Sequence, residues 1–118
     1  MQRRPRREHP KHLKWIRERP CVICGGSPCD ACHIKFADGS VLKPQASNIS
    51  MKADDIFTTP LCRTHHQESH SMPERSFWQK YHIDPILLSL RLWSVTGDDE
   101  MGDALVKNAM LVSWSLNA

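Results

Sequence analysis

The sequence predicts a small α+β domain braced by zinc, and three observations carry that reading. A C-x-x-C pair at Cys21 and Cys24 and a C-x-x-H pair at Cys62 and His65 stand 41 residues apart, as separate halves of a four-ligand site do. Residues 30–36 and 56–61 have the composition of short strands. Helix starts and stops punctuate the chain before the first pair and after the second.

The elements follow in chain order. Residues 1–9 read as a flexible basic arm. Pro10 suits the first turn of a helix carrying Leu13, Trp15 and Ile16, which Pro20 must end. CVICGGSPCDAC, residues 21–32, is a knuckle followed by a Gly-Gly-Ser-Pro turn. The two strands flank a polar loop over 37–55, long enough to be read as functional. Thr64 and Gln67 have capping-box spacing, predicting a helix to about Ser71, and Ser71 with Glu74 repeats the pattern for a helix ending near Tyr81. Asp84-Pro85 is an N-cap and first-turn pair for a third helix with Ile86, Leu90 and Trp93 on one face and Gly97 as its stop. A last helix after Asp99 shows Met101, Leu105, Ala109, Val112 and Leu116 as a stripe expected to be core.

At 118 residues the chain has room for one modest core. A mean hydropathy of −0.49 and eight prolines point to a thin one that something other than burial helps to hold. The net charge of +3 is unevenly spread. Eight of the sixteen basic residues precede position 20, opposed there by Glu8 and Glu18, so the first 19 residues carry +6 and the remainder −3. A basic arm on a mildly acidic body fits a polyanionic partner, because phosphate contacts release counterions. No run of about 18 apolar residues exists, which excludes a membrane helix, and no apolar segment follows the basic start, which argues against a secretory signal. The expected compartment is the cytoplasm, where five cysteines read as ligands or free thiols rather than disulfides.

CRTHHQESH, residues 62–70, puts three histidines beside a cysteine. On a helix His66 and His70 share a face and can grip one ion, while His65 is turned by about 100° from His66. His65 therefore joins Cys62, Cys21 and Cys24 in a closed structural zinc site. A competing set is Cys21, Cys24, Cys29 and Cys32, four thiolates whose two pairs are separated by only four residues.

The residues C-V-I-C (21–24), A-C-H-I (31–34) and P-L-C-R-T-H-H-Q-E-S-H (60–70) resemble the ββα-metal fold of HNH endonucleases, in the variant where a treble-clef zinc braces the catalytic hairpin. With H-L-K-W-I-R-E-R-P-C-V-I-C-G, S-M-K-A-D-D and Phe77-Trp78, the likeness is to the phage-associated family of RecA-dependent nucleases, the recombination enhancement function family, over residues 12–93. The resemblance implies one HNH-like nuclease domain over 10–118, with its core at 20–72 and supporting helices at 73–118. His33 would be the general base, since an ordinary imidazole with a pKa of about 6.5 can take a proton from water at neutral pH. His66 and His70 would hold a catalytic divalent ion, Mg2+, Mn2+ or Zn2+, and Cys32 stands where HNH enzymes often carry a further ligand. A thiolate there favours zinc over magnesium. Asp55 is the nearest positional counterpart of the residue that orients the base.

These readings imply a metal-dependent DNA endonuclease that hydrolyses phosphodiester bonds, and the resemblance alone implies that a RecA-type recombinase filament directs it. Arg3, Arg4, Arg6, Arg7 and Lys52 are the expected DNA contacts, with Lys35, Lys43 and Arg63 as further candidates around the site. The main rival is a catalytically inactive, zinc-containing DNA-binding module. A protein adaptor acting through the 101–116 stripe is the second.

Overall fold

Pro10 fixes the backbone angle that a first helical turn needs and gives up an N–H that would have no partner there. From it runs α1 (Pro10–Arg17), which buries His12, Trp15 and Ile16. The computed structural model describes residues 8–35 and 54–117. After α1 come the knuckle, β1 (Cys29–His33), β2 (Thr58–Cys62), α2 (Arg63–His70), α3 (Glu74–Tyr81), α4 (Pro85–Ser94) and α5 (Asp99–Asn117). Arg3, Arg4, Arg6, Arg7, Phe36, Lys43 and Lys52 lie outside the described residues, as does most of the polar loop.

β1 and β2 pair antiparallel as a two-stranded sheet, with Cys29 opposite Cys62 and His33 opposite Thr58. Both strands are displaced from the expected spans: pairing begins at Cys29 rather than Asp30, and β2 runs from Thr58 to Cys62 rather than over 56–61. The pairing reaches the cysteines at both outer ends. Pro60 has no N–H to give a ladder, which suits a strand with one neighbour. Its carbonyl accepts from the N–H of Val22 at 3.1 Å, tying the knuckle to the sheet. Helix and sheet meet over Ile16, Val22, Ile34, Leu61, Phe77, Leu92 and Val106, all buried.

Two expected caps do not form. α2 begins at Arg63 with Cys62 in the cap position, and no side chain caps it, so Thr64 lies inside the first turn. Ser71 closes α2, its hydroxyl donating to the carbonyl of Glu68 at 2.7 Å, while α3 starts after Pro73. Glu74 instead accepts from the backbone N–H of Lys35. The third cap is as read from the sequence: the carboxylate of Asp84 accepts from the N–H of Leu87 at 3.0 Å.

The supporting helices bury only part of the faces their apolar patterns suggest: Ile86 is buried, and Leu90, Leu105 and Ala109 pack partly buried against the core. On α4 the buried apolar residues are Ile86, Leu88 and Leu92, while Trp93 is exposed and packs its ring against His9 and His12. On α5 the buried residues are Gly102, Val106 and Ser113, whereas Met101, Val112 and Leu116 of the expected core stripe are exposed. Packing uses a line one position round the helix because Gly102 lets it approach the Trp15 ring: a Cβ at 102 would stand 2.5 Å from that ring. Arg19 completes the junction. It is 3% exposed and stacks 4.8 Å from Trp15. Its guanidinium donates to Asp99 at 2.9 Å and Asp103 at 2.7 Å.

Candidate active site and metal centre

The knuckle is a tight turn built around the Cys21 sulfur. Gly25 adopts φ +78°, which a side chain would resist, and its N–H donates to the Cys21 carbonyl at 2.7 Å. The N–H of Cys21 donates to Gly26 at 2.9 Å, and the N–H of Ile23 reaches the Cys21 sulfur at 3.4 Å. β2 delivers Cys62 to this turn, and the first turn of α2 adds His65.

The ligand atoms of Cys21, Cys24, Cys62 and His65 all lie within 4.8 Å of one another. Tetrahedral zinc with Zn–S bonds of about 2.3 Å needs sulfur–sulfur edges of about 3.8 Å and sulfur–nitrogen edges of about 3.6 Å. The Cys24–Cys62 edge is 3.8 Å. His65 Nδ1 is 3.2 Å from the Cys62 sulfur and 3.8 Å from that of Cys21. The set fits a structural zinc in both donor chemistry and size. A hydrogen bond from Cys29, the largest influence, draws the Cys21 thiol down to about 4, favouring the thiolate that a metal requires. Burial holds Cys24 up at about 11.

The four-cysteine alternative does not assemble. Cys29 stays a thiol, its pKa raised chiefly by the same contact with Cys21. Cys32 is 4% exposed, its sulfur 3.8 Å from the carbonyl of His33, and burial pushes its thiol up to about 12. Among the described residues it joins no group of three or more metal-ligating side chains.

His33 ends β1 half-buried. Its Nε2 is 2.8 Å from Oδ1 of Asp55, a carboxylate only 1% exposed. The other oxygen, Oδ2, accepts from the backbone N–H of His9 at 2.8 Å, and the Asp55 carbonyl accepts from the Thr58 hydroxyl at 2.9 Å. The carboxylate is thus fixed from two sides. It sets the ring's tautomer: Nε2–H donates to Asp55, and Nδ1 is left with a lone pair.

On α2, His66 and His70 bring their Nε2 atoms to 3.2 Å. Two imidazoles on one tetrahedral ion at about 2.05 Å would be about 3.3 Å apart, so the spacing suits a shared ion as well as a ring-to-ring hydrogen bond, and among the described residues the pair joins no group of three or more metal-ligating side chains. Nδ1 of His66 donates to Asp30 Oδ2 at 2.9 Å, the arrangement in which a carboxylate turns a ligating histidine toward its metal. Arg63 donates to the same carboxylate through Nε at 2.9 Å and NH2 at 3.2 Å. That guanidinium, with His66 next, holds Asp30 below the usual carboxylate range. Asp30 escaped the sequence reading because no spacing motif links a strand residue to a helix residue 36 positions later. Its one sequence signal is an acidic side chain on the strand that leads from the zinc knuckle.

The aromatic residues of α3 serve the core and the back of the site. Trp78 is 2% exposed and packs edge-on against Phe77. Tyr81 supports α2 from behind, its hydroxyl donating to Glu68 at 2.7 Å and its ring meeting that of His65 edge-on. Among the described residues no helix is long and apolar enough to cross a membrane.

Comparison with known proteins returns a family described as "Protein of unknown function (DUF968)", matched over residues 1–95. The chain is also 36% identical over 61 residues to the uncharacterized protein YdfU of Escherichia coli (strain K12). That alignment covers 52% of this chain and 16% of the relative, so the chain spans about a sixth of that protein's length. No solved structure matches.

Proposed function

We infer the following for a chain that belongs to the DUF968 family: it is a metal-dependent DNA endonuclease of the HNH type, in which His33 activates water and His66 with His70 holds the catalytic ion. The observation that carries this reading is the 2.8 Å bond between His33 Nε2 and the buried Asp55, which leaves Nδ1 as a proton acceptor of fixed orientation.

The geometry supports the following division of labour. Nδ1 of His33 takes the proton from the attacking water, and Asp55 stabilises the imidazolium that forms. The second ion, when bound, supplies electrostatic stabilisation of the charge that develops on the phosphate and the leaving oxygen. Asp30 keeps His66 in the tautomer whose Nε2 is free to ligate. The structural zinc of Cys21, Cys24, Cys62 and His65 pins the strands that present these groups. The basic arm adds sequence-independent DNA affinity, and a RecA-type recombinase filament supplies targeting.

A non-cleaving DNA-binding module is the second reading, favoured by Cys32: its buried thiol stands where a further metal ligand is expected. Nicking of supercoiled plasmid decides between them, measured with magnesium, manganese or zinc, with and without a recombinase-coated DNA partner. Metal-dependent nicking lost in His33→Ala supports the nuclease. DNA binding without nicking under every condition overturns it and leaves the module.

A further inference from the structure

An open cleft lies beside His66, lined by Arg17, Asp30, Ala31, Arg63, His66 and Gln67. Two arginines from separate elements meet in it, Arg17 from the last turn of α1 and Arg63 from the first turn of α2. They differ from a structural arginine of the same chain. Arg19 is 3% exposed and is held by a ring, a carbonyl and two carboxylates. Arg17 is exposed and has no hydrogen bond or ion pair among the described residues. Arg63 is 74% exposed and commits its fork to Asp30 alone.

The charges in the cleft do not balance. Two arginines line the cleft with one carboxylate, leaving one positive charge in the lining that also holds His66. A phosphodiester carries one negative charge, and its two free oxygens match a guanidinium fork as a carboxylate does. We propose that this cleft seats a backbone phosphodiester of a nucleic-acid strand, gripped by Arg17 and by Arg63, which exchanges Asp30 for the phosphate. Asp30 keeps its bond to His66 through the exchange, so the strand lies against the histidine that the preceding reading assigns to the catalytic ion. The assignment to nucleic acid rests on that reading, but its test requires no cleavage.

The test uses the full-length, zinc-loaded protein carrying His33→Ala, titrated against a fluorescent DNA duplex at several sodium chloride concentrations. Each phosphate contact contributes a slope of about 0.9 to the fall of log K with log salt. Arg17→Ala and Arg63→Ala should each lower that slope by about 1 and weaken binding about 3- to 10-fold at low salt. Asp30→Asn should act in the opposite sense, tightening binding about threefold by releasing Arg63 and removing the competing anion. Lys14→Ala, an exposed α1 cation paired with Glu18, should leave the slope unchanged, and zinc content checks that each variant is folded. Wild-type slopes in both arginine variants overturn the proposal. So does displacement of the duplex by inorganic phosphate at matched ionic strength, which would mark a site for a lone phosphate. Plasmid nicking with His33 intact tests the nuclease separately: unaltered slopes in a protein that cuts remove the phosphate seat and leave the nuclease.

Discussion

Asp55 accepts two bonds of different kinds, one from the His33 ring and one from the backbone N–H of His9 at the start of α1. Asn at 55 keeps the size but offers an amide to one of these donors, so the ring loses the partner that fixes its tautomer. Asp55→Asn should lower the nicking rate by about 100-fold while leaving duplex affinity within about twofold, read from single-turnover cleavage and a binding titration on one preparation. His12 presents the opposite case, a histidine with too few partners. Its Nδ1 donates to the Thr96 hydroxyl at 2.7 Å, and its buried Nε2 has no partner among the described residues. Burial, aided by His9 and opposed by Asp55, lowers its pKa to about 4 from an ordinary 6.5. Between those values the unfolded chain binds the proton and the folded chain does not, so His12 makes stability fall as pH drops from 6.5 to 4. The fall should reach at most about 3 kcal/mol. Urea denaturation at steps across that range should show the slope reduced in His12→Leu. At this scale the sequence marked His33, His66 and His70 as candidates, because their spacing repeats on one helix or matches a family motif. Asp30, Arg17 and the burial of His12 were not, since each depends on a neighbour brought from another element.

At the scale of elements, every helix was legible in number and order, and the buried faces only in part. The α5 pattern marks Met101, Leu105, Ala109, Val112 and Leu116; Leu105 and Ala109 pack partly buried against the core, yet Met101, Val112 and Leu116 are exposed and the fully buried positions are Gly102, Val106 and Ser113. Apolar periodicity counts side chains that are present, whereas this contact depends on one that is absent. Gly102→Ala places a Cβ against the Trp15 ring, with contacts of 2.5 and 2.6 Å. It should destabilise the fold by about 1–3 kcal/mol, because overpacking moves Trp15 and, with it, the bond from its indole N–H to Asp99. Ala is the better helix former, so a gain in stability on thermal melting would contradict the packing described. The capping boxes failed for a related reason. Cys62 takes the cap position with its sulfur grouped with those of Cys21 and Cys24 and with His65, and Thr64 falls inside the first turn.

At the scale of the molecule, the two knuckle pairs were the most informative feature of the sequence, and the ligand set they predict is the one the structure brings together. What spacing alone left open was how Cys29 and Cys32 are used, because β1 carries both on buried positions where a thiol and a ligand look alike. Zinc binding contributes roughly 10–16 kcal/mol in small metal-dependent folds, comparable to the whole stability of a domain of this size. A strong chelator at neutral pH should therefore release one zinc per chain, measured with a metal indicator, together with loss of the cooperative melt followed by circular dichroism. A retained cooperative melt after release would show that burial alone suffices. The strand pair is clamped at both extremities, by the cysteine set beside Cys29 and Cys62 and by the Asp55 contact beside His33 and Thr58. The register of the hairpin is thus held at both ends by contacts among the described residues. Lengthening a loop between fixed ends costs only about 0.6 kcal/mol per doubling. With both ends of the strand pair held in this way, its pairing should tolerate a longer connection between them.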